Sequence, residues 1–137
     1  MALWLLKTEP GEYSWDDLVR DGGAVWSGVT NNAALLHLRA MKKGDDALIY
    51  HTGSDKRVVG LASIARAAYP DPALDPPDSK RVVVDLKPKK KANTPVTLAS
   101  IKSDGRFASF DLVRNSRLSV MPVPDNLADL LRRMAGL

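Results

Sequence analysis

LWLLKTEPGEYSWDDL, residues 3–18, and VWSGVTN, residues 25–31, are the stretches whose reading decides the fold. Residues 3–6 are wholly apolar, the pattern of a central strand buried on both faces, and Glu9-Pro10-Gly11 ends that strand. Ser14 then stands where a helix N-cap belongs, with Asp17 three residues on in a near capping box, so a short helix should follow. Trp15, Leu18 and Val19 should form its inner face, and Gly22-Gly23 should stop it. The two blocks together hold tryptophans, Lys7, Glu9, turn glycines and the Asn31 amide. Core packing alone does not call for that mixture, whereas a pocket for a planar polar ligand does.

Working outward, Thr30-Asn31-Asn32 can cap a second helix in which Ala34, Leu35, Leu38 and Met41 recur at helical spacing, with Lys42, Lys43 and Gly44 at its end. DALIYH (46–51) and RVVGLASIAR (57–66) read as a hairpin around Gly53-Ser54-Asp55. Residues 69–79, YPDPALDPPDS, carry four prolines and three aspartates and should form a surface loop. Residues 80–86 alternate as a further strand, followed by the basic run Lys87-Pro88-Lys89-Lys90-Lys91 and a short helix near Leu98. RLSVMPV (117–123) reads as the last strand, and Asp125 as the cap of a closing helix with a stripe of Leu127, Leu130, Leu131 and Met134. About five strands with short helices inserted between them imply an α+β fold, a partly closed mixed barrel rather than alternating βαβ units.

Composition narrows the function classes. The 137 residues suit one compact domain over 1–137, and 45% apolar with 26% charged residues is ordinary for a soluble protein. The absence of cysteine removes disulfides, thiolate metal sites and cysteine nucleophiles together and makes an intracellular setting natural, the cytoplasm if the source is bacterial. The apolar start is too short for a secretory core or a membrane span, so no membrane association is expected. Charge is uneven: residues 1–50 sum to −2 and residues 51–137 to +6. The basic part can face a polyanion or can simply be a solvated lysine-rich surface.

In order along the chain, LLKTEPGEYSWDDL, WSGVTN, LRAMKKGDDALIYHTG, VVGLASIARAAYPDP, PVTLASIK and LVRNSRLSVMPV resemble the EVE domain, and the resemblance covers nearly the whole sequence. It implies a PUA-like pseudobarrel, related in shape to the YTH domain that reads a methylated adenine. It also implies a nucleic-acid-binding domain that recognises a modified base in DNA or RNA, with no established reaction; separately, no cofactor is expected and the monomer is the favoured state. The family's usual W-D-G-V-R-N-x-Q-A-R-N is altered here: Ser27 replaces the acid, Thr30 and Leu35 arginines, Ala33 a glutamine and Leu36 an asparagine. Two cations and two amides are therefore missing from a segment where relatives can touch phosphate or base edges.

The candidate ligand residues are Lys7, Thr8, Glu9, Trp26, Gly28, Val29, Asn31, His51, Arg117 and Ser119. Trp26 can stack on an extruded base, or pack in the core; Gly28 beside it allows close backbone approach. Asn31 can read a base edge in a bidentate pair, or cap the second helix. Thr8 and Glu9 offer a hydroxyl and a carboxylate to an exocyclic amine, with Lys7 supplying charge or pairing with Glu9. His51 can line the pocket or serve as a hydrogen-bonded structural group. Arg117 can clamp phosphate through its planar fork or close the barrel with an ion pair. Lys87, Lys89, Lys90 and Lys91 are phosphate candidates by exposure, or a guard on a strand edge. Neither a catalytic motif nor a metal-spaced histidine pair is present. The remaining alternatives are a sensor of free nucleotides or other heterocycles and a hydrolase or editing enzyme built on Glu9 and His51.

Overall fold

The computed structural model describes all residues, 1–137. The apolar run at the N-terminus forms β1 (Leu3–Thr8), whose first four residues are buried. It lies between β3 (Asp46–His51), parallel and in register from Leu3↔Asp46 to Thr8↔His51, and β6 (Val120–Pro122), antiparallel. β4 (Arg57–Pro70) returns antiparallel from β3 as the expected hairpin, and β5 (Val82–Thr97) pairs antiparallel with β4. β2 (Ala24–Trp26) adds to β5 with Trp26 opposite Val84. The result is one mixed sheet in the order β2-β5-β4-β3-β1-β6, curled into a half-barrel.

Three expectations change. There are six strands instead of about five, because the Trp26 block itself contributes β2, whose three residues are too few to show an alternating pattern. The basic run belongs to β5, which continues through Pro88 and Pro95 to Thr97. Proline in mid-strand is tolerated here because β2 covers only Val84 to Leu86, so the far edge of β5 beyond Leu86 has no sheet partner, and the β4 register shifts at Ala62↔Pro88. The last strand shrinks to Val120–Pro122.

Helix signals were local and mostly hold. Ser14 caps α1 (Trp15–Asp21) in a complete capping box with Asp17, and Gly22 at φ 70° ends it. Only Trp15 and Leu18 face inward; Val19 is 51% exposed, because a seven-residue helix meets the sheet through a narrow stripe. Asn31 caps α2 (Asn32–Ala40), which buries Ala34, Leu35 and Leu38, with Met41 also enclosed. α3 (Leu98–Ser103) is the short helix near Leu98, and α4 (Asp111–Arg114) follows a 3-10 turn at Gly105–Phe107. α5 (Asp125–Ala135) begins after Pro124; Asp125 is its first residue and makes no side-chain cap. Leu127 and Leu131 of its stripe are buried, Leu130 and Met134 partly so. No helix is long and apolar enough to cross a membrane.

Polar ties fix the frame around the site. Asp45 is buried and accepts from the Trp4 indole Nε1 (3.0 Å), the Lys42 amide (3.0 Å) and the Ala2 amide (3.1 Å). Asp46 joins β5 and α5 to β3, with Lys89 Nζ at 3.0 Å and Arg132 Nη1 at 3.1 Å. Trp15 lies flat against Gly60, where a Cβ would fall 2.6 Å from its ring. Glycine at position 60 is thus a matter of close approach rather than of backbone conformation.

Candidate nucleic-acid interface

β1 and β2 lie far apart in the sheet order, but the curl of the half-barrel brings the end of β1, the turn between β1 and α1, and β2 together around one hollow. After Thr8 the chain folds back on itself, the amides of Glu12 and Tyr13 both donating to the Glu9 carbonyl at 2.9 Å. Thr8 Oγ1 donates to the Tyr13 carbonyl at 2.6 Å, which holds that turn against the strand end. The Tyr13 ring is thereby set edge-on to Trp26, with centroids 6.3 Å apart and an interplanar angle of 78°, the T-shaped arrangement that aromatic quadrupoles favour. Beside the pair lies a concavity of about 250 Å³ lined by Thr8, Glu12, Tyr13, Ala24, Val25, Trp26 and Ser27.

Trp26 serves two environments. Its side chain belongs to the hydrophobic core and the residue keeps only 8% of its surface, yet it forms part of this wall. The Tyr13 hydroxyl donates to Asp21 at 2.8 Å; burial first, then that carboxylate, push its pKa up to about 12, so it stays a donor at neutral pH. Glu12 and Ser27 put an acceptor and a hydroxyl on the same wall.

The other candidate residues are placed as follows. Gly28 adopts φ 81°, a left-handed turn that glycine suits, and a Cβ there would meet open space. Val29 packs against the core. Asn31 is exposed and its Oδ1 accepts the Ala34 amide at 3.1 Å, the capping alternative, which leaves its NH₂ group uncommitted by that bond. Glu9 does not pair with Lys7: its Oε1 accepts the Gly11 amide at 3.0 Å and its Oε2 the Thr52 hydroxyl at 3.4 Å. His51 Nε2 accepts the Trp15 amide at 3.0 Å, so Nδ1 carries the proton and donates to Asp55 at 2.8 Å. Burial raises the Asp55 carboxyl, but the His51 hydrogen bond and Arg57 outweigh it and hold it below the usual carboxylate range. Both imidazole nitrogens are thus engaged in pinning the start of α1 to the hairpin.

On the other pleat of β1, Lys7 Nζ donates to the Ser116 carbonyl at 3.0 Å, and burial lowers its pKa. The Ser119 carbonyl accepts the Lys7 amide at 2.9 Å. Arg117 is exposed and makes no ion pair, so it does not close the barrel electrostatically. Lys87, Lys90 and Lys91 are exposed, while Lys89 is engaged with Asp46. Of the altered family positions, Ser27 lines the concavity, Leu35 is buried, and Thr30, Ala33 and Leu36 are exposed.

Tyr13 and Glu12 were within the quoted N-terminal block but were not singled out. The signal was there: an aromatic two residues before Trp15 and one before the cap cannot join the helix stripe, so it must pack elsewhere.

Comparison with known proteins bears on the family and the fold. Protein Rpa0253 from Rhodopseudomonas palustris is 46% identical, with a TM-score of 0.91 over 99% of this chain and 94% of that one. Mouse (Mus musculus) thymocyte nuclear protein 1 is 31% identical over 160 residues, 93% of this chain and 71% of that protein. The human THYN1 protein in complex with 5-methylcytosine containing DNA is 25% identical, with a TM-score of 0.88 over 100% of this chain and 99% of that one. The YTH domain of Zygosaccharomyces rouxii MRB1, solved with N6-methyladenosine RNA, is 16% identical with a TM-score of 0.63, covering 97% of this chain and 85% of that one, a likeness of fold that bears out the PUA-like pseudobarrel. The EVE domain matches residues 2–134, and the chain belongs to that family.

Proposed function

We propose that this domain binds nucleic acid by taking one modified base into the concavity beside Trp26. The observation that carries the reading is the aromatic corner of Tyr13 and Trp26 beside a hollow of about 250 Å³, below the usual range for drug-sized ligands and suited to a single heterocycle. The human relative was solved with methylated DNA, which supports the same ligand class for this chain. In this reading Trp26 and Tyr13 give apolar contact to the ring and its methyl group. Glu12 accepts from an exocyclic amine, a task left to it in part because Ser27 stands where the family usually has an acid. Thr8 and the Asn31 amide complete the edge contacts, and His51 acts at one remove by fixing α1. Unstacking costs a few kcal/mol, which stacking of about 1–3 kcal/mol per base and two or three hydrogen bonds can offset.

Fluorescence anisotropy with short DNA and RNA strands, each unmodified, 5-methylated or 5-hydroxymethylated at one cytosine, tests this. Tighter binding to one modified strand, weakening as salt rises, is expected. Equal affinity for modified and unmodified strands removes the base-reading role. Equal affinity for the free modified nucleoside, with no salt dependence, shows a small-molecule sensor instead.

A further inference from the structure

A second concavity, of about 260 Å³, lies on the opposite pleat of the same strand end. Lys7, Lys56 and Lys102 line it from β1, the β3–β4 hairpin and α3, together with Tyr50, Thr52 and Ser116. No carboxylate lines it, and none of the three lysines takes part in an ion pair. Asp55, which shares a neighbouring hollow with Lys56 and Lys102, is engaged by His51 and Arg57, and Glu9 by Gly11 and Thr52. Lys89, by contrast, has Asp46. Lys7 is half-buried with a backbone carbonyl for its partner and the Tyr50 ring 6.0 Å away. A cation withdrawn from water without a counter-charge is costly, and three facing one hollow repel one another. An anion with several acceptor oxygens would relieve both. The residue joining the two hollows is Thr52, whose amide donates to the Thr8 carbonyl at 2.9 Å; Thr52 lines the lysine hollow and Thr8 the aromatic one.

We infer that the hollow of Lys7, Lys56 and Lys102 seats a backbone phosphate of the nucleic-acid strand that crosses this end of the sheet. This rests on the nucleic-acid reading above but not on the base pocket. Lys56 and Lys102 then replace part of the positive charge missing at Thr30 and Leu35, from a different side of the site. Lys56 adopts φ 46°, uncommon for a side-chain-bearing residue and a conformation found where a loop must aim a functional group.

The test measures binding of a short DNA duplex, with and without one 5-methylcytosine, over a range of salt. It compares wild type with the pairs Lys56→Gln/Lys102→Gln and Lys90→Gln/Lys91→Gln. All four lysines are exposed, so both variants should fold as wild type does by circular dichroism. The cavity pair should lose about one from the slope of log affinity against log salt, the value for a single phosphate contact. It should weaken both duplexes equally and keep any preference for the methylated one. The Lys90/Lys91 pair should change the slope less. An unchanged slope in the cavity variant, an equal or larger loss in the Lys90/Lys91 variant, or no duplex binding by wild type overturns the assignment. The expected slope loss in the cavity variant, with no methyl preference in wild type, leaves the phosphate seat standing and sinks the base pocket alone.

Discussion

Trp26→Leu separates the two roles of the indole. Truncating a buried tryptophan to alanine costs about 3–5 kcal/mol. Leucine refills part of the volume, so roughly 2 kcal/mol should be lost here. Against a domain stability on the order of 5–15 kcal/mol, the variant stays almost wholly folded at room temperature. The aromatic wall of the hollow is lost, however, and with it about 1–3 kcal/mol of stacking, a five- to hundred-fold weakening on a scale of about 1.4 kcal/mol per decade. Because phosphate contacts are untouched, the salt slope should not move, and the loss should fall on whichever strand places a base in the hollow. Urea unfolding gives the stability term and anisotropy the binding term on the same preparation. A cooperatively folding Trp26→Leu protein that binds the modified strand within twofold of wild type would refute the stacking role, leaving Trp26 a core residue that happens to border a hollow.

Two further outcomes test the frame that holds the corner. Asp45→Ala leaves the donors of Trp4 and Lys42 without their acceptor, a loss of about 2–4 kcal/mol. Burial raises the Asp45 carboxyl, but the Trp4, Lys42 and Ala2 donors outweigh it and leave its pKa below normal. Its stabilising contribution is therefore full above the unfolded value, near 3.9 for aspartate, and is lost as pH falls through the lower folded value. In urea unfolding the gap between wild type and Asp45→Ala should narrow in strong acid, and a gap that widens there would overturn the assignment. Gly60→Ala places a methyl 2.6 Å from the Trp15 ring, and because the Trp15 amide is held by His51 the ring has little freedom to withdraw. An overpacking cost of about 1–3 kcal/mol is expected, and an unchanged denaturation midpoint would show that α1 slides freely.

What could be read from sequence was whatever is decided within a few residues. Ser14 with Asp17, Asn31 ahead of Ala34, and the Gly53 turn are local hydrogen-bond or dihedral choices, and each formed as its spacing implied. The six-block resemblance supplied the PUA-like pseudobarrel, which periodicity alone does not, while the order of strands came only with the structure. What could not be read was set by distant partners. β2 is a strand because Val84 lies opposite Trp26. Val19 is exposed because the sheet meets α1 only through the narrow stripe of Trp15 and Leu18. Lys89 looks like its lysine neighbours until Asp46, 43 residues away, takes its charge, while Lys56 and Lys102 are far apart in sequence and meet only where the β3–β4 hairpin faces α3.

The same distinction explains why the candidate site sits where it does. Thr8, Tyr13 and Trp26 come from three segments, yet one short hydrogen bond from Thr8 to the Tyr13 carbonyl, one turn closed on Glu9 and one strand pairing fix all three. These contacts are all internal to the chain, so a base taken into the hollow would have little side-chain ordering left to cost it affinity. Glu12 on the wall of the hollow is exposed, as is Asn31 outside it, so both can adjust. The rigid members are the aromatic ones, common to every base, whereas the adjustable members are those that tell one base edge from another. A change of ligand within the family should therefore track positions 12, 27 and 31 sooner than Trp26 or Thr8, and Ser27 is where this chain has already departed.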